Sequence, residues 1–424
     1  MSKLGLWEFT KVLNKNEQMP ADFIGSFIEY TKIYESPTSF WRWSAYTTVA
    51  SILRDNCHTQ LRDMVIYPNI YVLLLASSAN HRKGLPVQFC EKYVKALKNT
   101  KIISGRSSIQ AILDELARGE TDKKTGRILK GGSALFTARE MSASIVSDPA
   151  AVEILTDIYD FKDEWTSHLR GSANFTIYNL CFNLFAASNE DLLKSVYDVR
   201  ALRGGLLGRT FLITPNEFRP ANSLFTEETD DQIIAAVEAS KSLVMKLNEI
   251  SLMNGKFVFE KEAIKEYDGW YFPLRESYKD KVDKSGVFGR IHTGALKIAM
   301  ILCANYTPGE FNVKKRNVEE AIEEVMTLIP NYNQFIMGAG RAPLSEIASI
   351  FLTIVHAEPE HKITRKELLQ KHWNTFDAEN LDKLITTFEQ AGLVQDKMGD
   401  GSMIYYLTDK CLELLFKGQE GKKP

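Results

Sequence analysis

Apolar positions change their period several times along the 424-residue chain, and each change marks a different kind of element. Residues 1–66 read as helical, with Ser36 and Pro37 as the start signal for SPTSFWRWSAYTTVASIL. From Met64 the run MVIYPNIYVLLLAS is β-rich and bounded by Pro68 and the polar SSANHRKG, the pattern of a fully buried strand. Helices are predicted over VQFCEKYVKALKN and SSIQAILDELARG, then a polar loop over ETDKKTGRILKGG and a strand over SALFTARE. AAVEILTDIYDF returns to the helical period, and WTSHLRGSANFTIYNL alternates about a central glycine as a hairpin does. CFNLFAASNE and RTFLITP read as two further strands. Strand, helix, strand, helix, strand predicts an α/β core with a mainly parallel sheet.

Beyond residue 225 the pattern is mostly helical, in DDQIIAAVEASKSLVMKLNEIS, KEAIKEYDGWYFPLRESYKDKVD and HTGALKIAMILCANY. The last stretch has three helical segments followed by LVQDKM and MIYYLT around a Gly-rich turn, which is the winged-helix order. The expected division is therefore an N-terminal helical region at 1–66, an α/β core at 67–218, a helical lid region at 219–342 and a winged helix at 343–418.

Composition narrows the function classes. A formal net charge of -2 excludes a polycation, so any nucleic-acid surface must be a local patch or an assembled pore. The five cysteines are scattered without a CxxC pair, and Cys57 and His58, being adjacent, point apart. No metal site is expected from them; buried, reduced thiols are. The N-terminal MSKLGLWEFTKVLNKNEQMP lacks an apolar signal region and no stretch reaches transmembrane length, so a soluble, intracellular protein without a membrane partner is expected.

Candidate chemistry begins at LLLASSANHRKGLP, where a buried strand runs into Arg-Lys-Gly. A phosphate loop works through successive backbone N–H groups at a helix N-terminus, with a lysine adding charge to the β- and γ-phosphates. Aligning Lys83 with that lysine puts Ser77 and Arg82 at the two glycine positions and Gly84 at the Ser/Thr position; the loop is Ser77, Ser78, Ala79, Asn80, His81, Arg82, Lys83 and Gly84. Taken alone, this stretch is read more readily as a basic turn after a core strand. Downstream, SALFTARE ends in Arg139-Glu140, where nucleotide-hydrolysing cores carry Asp-Glu. LFAASNED sets Asn189 at a strand tip, and ALRGGLLGRTFLITP sets Arg203 and Arg209 before another strand. GRIHTGALKIAM begins a helix with Arg290 and places Lys297 two turns on. The aromatic residues Phe40, Trp41, Trp43 and Tyr46 have helical spacing and read as core rather than as a base-stacking platform.

In this order the motifs resemble the ring-forming AAA+ replicative helicases, with the minichromosome maintenance helicases as well-understood relatives. Within that group the chain is similar to a phage and mobile-element family of helicase-like P-loop proteins, through SSIQAILDELA and GLLGRTF. The resemblance covers about residues 20–310 plus the C-terminal segment. It implies an AAA+/RecA-like P-loop fold, ATP and Mg2+ as cofactors, a homo-oligomeric ring such as a hexamer, single-stranded or forked DNA and replication proteins as partners, and the cytoplasm of a bacterial host.

It also implies roles. Lys83 holds the phosphates, Glu140 activates water, Asn189 positions it, Arg209 completes a neighbour's site and Arg290 senses the γ-phosphate. His168 and Arg170 of the hairpin face DNA. Ser77, Arg82, Gly84 and Arg139 depart from the family's pattern, which leaves two readings open: a helicase or translocase used in DNA replication, or a non-hydrolysing scaffold or regulator that binds DNA or a replisome partner.

Overall fold

The chain enters its core through two helices, α1 (Phe23–Tyr30) and α2 (Thr38–Leu53). Asp22 caps α1, its carboxylate accepting the amides of Ile24 and Gly25 at 3.1 and 3.2 Å. α2 is buried nearly all round, with the Thr47 and Thr48 hydroxyls turned back onto the Trp43 and Ser44 carbonyls, as in a helix surrounded by protein. Phe40, Trp41, Trp43 and Tyr46 are buried in it, as their spacing predicts. The helical expectation for residues 1–66 fails after α2, where β1 (Cys57–Leu61) and β2 (Met64–Ile66) form a hairpin turned by Arg62 and Asp63. Cys57 and Thr59 point inward and Gln60 outward, a period of two too short to read against the helix before it.

The central sheet follows, built from β3 (Tyr71–Leu75), α3 (Gly84–Leu97), β4 (Lys101–Ser104), α4 (Ile109–Ala117), β5 (Glu120–Thr121), β6 (Ile128–Lys130), β7 (Ala134–Ala138), α5 (Pro149–Asp157), β8 (Lys162–Ser167), β9 (Phe175–Leu180), β10 (Phe182–Ser188) and β11 (Thr210–Ile213). Five of these strands pair in the order β11-β3-β10-β7-β4, every pair parallel. β4 was not expected; it is a short edge strand, half-exposed, with little apolar signal. β5 and β6 pair within the segment read as a loop. β8 and β9 form the predicted hairpin.

The computed structural model describes residues 22–77, 81–105, 107–118, 120–121, 128–130, 132–141, 145, 148–167, 175–189, 205–221, 229–279, 283, 286–332, 343–373, 375–399 and 401–415. The hairpin tip, with His168 and Arg170, lies outside the described residues, as do Ser78, Ala79, Asn80 and Arg203.

Registered neighbours share a face of the sheet, so single contacts assign the layers. The Tyr71 hydroxyl donates to the Leu155 carbonyl of α5 at 3.1 Å. Phe211, the β11 partner of Val72, packs on Trp43 with ring centroids 4.6 Å apart. α5 therefore covers the Tyr71 face and α2 the Val72 face.

The chain continues through α6 (Asp230–Ser251), β12 (Gly255–Phe259), α7 (Lys261–Ser277), α8 (Ile291–Tyr306), β13 (Asn312–Val313) and α9 (Lys315–Met326). β12 pairs in parallel with β1 and β13, giving a second sheet of order β13-β12-β1-β2. One apolar core runs from Phe23 to Tyr332, so the three regions drawn before residue 343 share it.

Residues 340–424 form a separate compact unit: α10 (Pro343–Ala357), β14 (Lys362–Thr364), α11 (Arg365–Lys371), α12 (Ala378–Ala391), β15 (Val394–Met398), β16 (Met403–Leu407) and α13 (Asp409–Leu415). Its antiparallel sheet has the order β14-β16-β15, and Phe351, Val355, Leu368, Leu381 and Tyr405 fill its core. Among the described residues, no helix is long and apolar enough to cross a membrane.

A buried ammonium joins α8 to the entry of the sheet. Lys297 is 3% exposed, and its Nζ donates to the backbone and side-chain oxygens of Asn69 at 2.9 and 2.8 Å. It also lies 4.1 Å from the centre of the Tyr159 ring. The Asn69 amide donates to the carbonyls of Tyr159 and Phe182 at 2.7 and 3.2 Å, so both ends of this side chain are engaged.

Burial lowers Lys297 from 10.5 to about 8. Between those values the unfolded chain binds one proton more than the folded chain, so this group's contribution to stability rises with pH. In urea unfolding, the wild type should gain about 2 kcal/mol on Lys297→Met between pH 7 and 9.5. Parallel pH profiles for the two proteins would show that Lys297 is not so shifted.

Candidate functional site

The sheet order itself singles out one end of one strand. From β3 the chain crosses forward over the sheet through α3 to reach β4, whereas the connections β4 to β7, β7 to β10 and β10 to β11 run backward. With right-handed crossovers, the chain leaving β3 and the chains leaving its neighbours turn to opposite faces. A crevice opens where they part, at the carboxyl end of β3, and open α/β sheets take ligands there.

The residues singled out in the sequence fall into two sets, and the first surrounds this crevice. Leu75 pairs with Ser188, the Ala76 amide donates to the Ser188 carbonyl at 3.4 Å, and the Met141 amide donates to the Ala187 carbonyl at 2.7 Å. Ser77, Arg139, Glu140 and Asn189 thus follow three adjacent strand tips. Lys83 stands immediately before α3, and its Nζ folds back to the carbonyls of Ala76 and Ser77 at 3.3 and 3.5 Å.

His81 and Arg82 are turned away from that point. The His81 ring lies 5.8 Å from Phe218. Arg82 forms an ion pair with Glu35, and its carbonyl accepts the Ser36 hydroxyl at 3.1 Å. The Ser188 hydroxyl is buried and has no hydrogen-bond partner among the described residues.

Gly84 opens α3 directly beneath Arg139. A Cβ on Gly84 would lie 3.5, 3.8 and 3.9 Å from Cβ, Cγ and Cδ of Arg139, so the arginine's methylene stem crosses the first helical turn. Arg139 and Glu140 are exposed, and neither has an ion-pair partner among the described residues. Magnesium takes oxygen ligands in near-octahedral geometry. Of the two positions that would supply or organise them, one has no side chain and the other carries a guanidinium. This donor set does not fit a magnesium ion. No group of three or more His, Cys, Asp or Glu among the described residues is placed to hold a metal elsewhere.

The second set lies at the opposite edge of the sheet. Arg209 precedes β11, whose Thr210 pairs with Tyr71 at the start of β3. The length of β3 separates the two sets, about 13 Å at the rise of a strand. Arg209 Nη2 donates to Asp160 at 3.2 Å and Nη1 to the Gly205 carbonyl at 3.3 Å, while Nε is buried without a partner among the described residues.

Arg290 begins α8 beside it, and burial together with the Arg209 charge lowers its pKa. Tyr159, Arg209, Arg290 and Tyr332 line one small cavity. Within one chain, then, Arg209 and Arg290 are brought together and neither is brought to Lys83. Lys297, two turns after Arg290, is committed to Asn69. Sequence reasoning missed Asp160, which sits just past a helix end and carries no motif.

No family model matches the chain. No curated protein matches it either.

The glycines around Arg209 have a steric cause. A Cβ on Gly208 would run into the Gly286 carbonyl, with its carbon at 2.7 Å and the Val287 nitrogen at 3.3 Å, so two backbones touch there. Gly208→Ala should therefore destabilise the fold by about 2 kcal/mol or more, because the obstacle is main chain. Gly84→Ser should stay within about 0.5 kcal/mol, since it meets only an exposed side-chain stem. Equal urea midpoints for the two variants would contradict this difference.

Proposed function

We propose that the chain is an NTP-binding subunit of a ring-forming DNA helicase or translocase of a phage or mobile element, acting in DNA replication. The observation that carries this reading is the convergence of Lys83, Glu140 and Asn189 on adjacent strand tips at the switch point of a parallel sheet. The order β11-β3-β10-β7-β4 agrees with the AAA+/RecA-like P-loop core that the sequence resembles. In this reading the first amides of α3 and the Lys83 ammonium hold the β- and γ-phosphates. Glu140 polarises the attacking water and Asn189 orients it.

Arg209 and Arg290 stand at the far edge of the same sheet. They act on the nucleotide of a neighbouring copy, which makes a ring the natural assembly. The hairpin of β8 and β9 carries His168 and Arg170 to single-stranded or forked DNA. The helix, strand, helix, helix, strand, strand order of the C-terminal unit supports its reading as a winged helix. Its α12 holds Lys383 in a pair with Glu379 and also carries Asp382 and Glu389, so it suits a replication protein better than phosphate.

One observation favours a second reading, a non-hydrolysing scaffold or regulator. Arg139 lies across Gly84 where the resemblance places metal chemistry. ATP turnover by the full-length protein, with and without single-stranded DNA, separates the two.

Lys83→Ala should weaken ATP binding at least tenfold, measured by equilibrium titration with the fold checked by circular dichroism. Unchanged affinity would return SSANHRKG to a basic turn. Arg209→Ala should keep nucleotide binding and lose turnover, and mixing it with Lys83→Ala protein should restore part of the activity. A protein that stays monomeric with DNA and nucleotide present would defeat the assembly in trans.

A further inference from the structure

We infer that the nucleotide is held without a divalent cation, with the Arg139 guanidinium supplying the counter-charge that a metal ion would otherwise bring. This rests on the reading of the Lys83 crevice as a nucleotide site and adds to it the ionic form of the ligand.

The argument starts from Gly84. With no side chain there, the Arg139 stem lies flat on the first turn of α3, with its Cβ, Cγ and Cδ 3.5 to 3.9 Å from where a Cβ would stand. No side chain at position 84 offers a hydroxyl to a metal, and the stem of a cationic side chain is laid across that position.

Electrostatics makes the second step. The N-terminus of a helix carries partial positive charge, so a cation placed there is unfavourable unless an anion joins it. Two cations sit at this one, Lys83 immediately before α3 and Arg139 across its first turn. Lys83 rests on two neutral carbonyls, and Arg139 has no carboxylate among the described residues. Arg82, which would otherwise share the load, is paired with Glu35. What completes the site is a polyanion of small footprint, and a guanidinium grips adjacent phosphate oxygens with two parallel hydrogen bonds. A magnesium ion in the same place would be repelled by that guanidinium and would find no hydroxyl at position 84.

The test is isothermal titration of the full-length protein with ATP in magnesium buffer and in EDTA. Affinity in EDTA should equal that in magnesium within threefold, or be tighter. Arg139→Met keeps an unbranched stem over Gly84 and removes the charge, so it should bind ATP at least tenfold more weakly in EDTA. Gly84→Ser with Arg139→Asp should make binding magnesium-dependent by tenfold or more. A wild type that binds tenfold more weakly in EDTA, or an Arg139→Met protein with wild-type affinity, overturns the inference and leaves the nucleotide reading standing. Absence of ATP binding in both buffers overturns the two together.

Discussion

The site depends on how β3 is held. This five-residue strand is paired in parallel on both edges and buried on both faces, so it has no freedom to slip. Its entry is locked as well. The Ile70 amide donates to the Asn183 side chain at 2.9 Å, and Asn69 is gripped by the buried Lys297 ammonium. A register error of one residue would exchange Tyr71 for Val72 against α5 and carry Lys83 off the crevice. The hydrogen bonds of one lysine at the amino edge thus help fix the position of another at the carboxyl edge. Breaking such a buried contact leaves Asn69 without its donor, which is costly where water cannot replace it.

Much of this was legible in the sequence, for identifiable reasons. The strands β3, β7, β10 and β11 lie inside the sheet or against its fully covered faces, so they appear as apolar runs ended by polar or small residues. β1, β4 and β14 did not, because each is short and partly exposed, while β2 lies inside the β-rich run that starts at Met64. Strand-tip positions for Lys83, Glu140 and Asn189 could be read locally. That Arg139 lies on Gly84 could not, because it requires knowing that β7 is separated from β3 by β10 alone. Likewise, nothing in the spacing of Arg209 and Arg290 announces that they share a cavity with Tyr159.

The two residue sets have different electrostatic characters. At the carboxyl edge, Lys83 and Arg139 stand at a helix N-terminus with Glu140 alongside. At the amino edge, Arg209 pairs with the exposed carboxylate of Asp160, Arg290 lies beside it, and Tyr159 provides an aromatic surface 5.9 Å from the Arg209 guanidinium. Each edge therefore presents two cationic side chains, in a molecule whose formal charge is -2.

The contact of Gly208 with Gly286 gives this arrangement a mechanical property. Two main chains that touch with no side chain between them have no rotamer to absorb a displacement, and close-packed interiors pass strain on rather than damp it. Arg209 follows one of these glycines directly, and Arg290 follows the other within a single turn, where the Arg290 amide donates to the Val287 carbonyl at 2.9 Å. The pair is geared. A tilt of α8 would therefore press directly on the root of β11 and shift Arg209 together with Arg290.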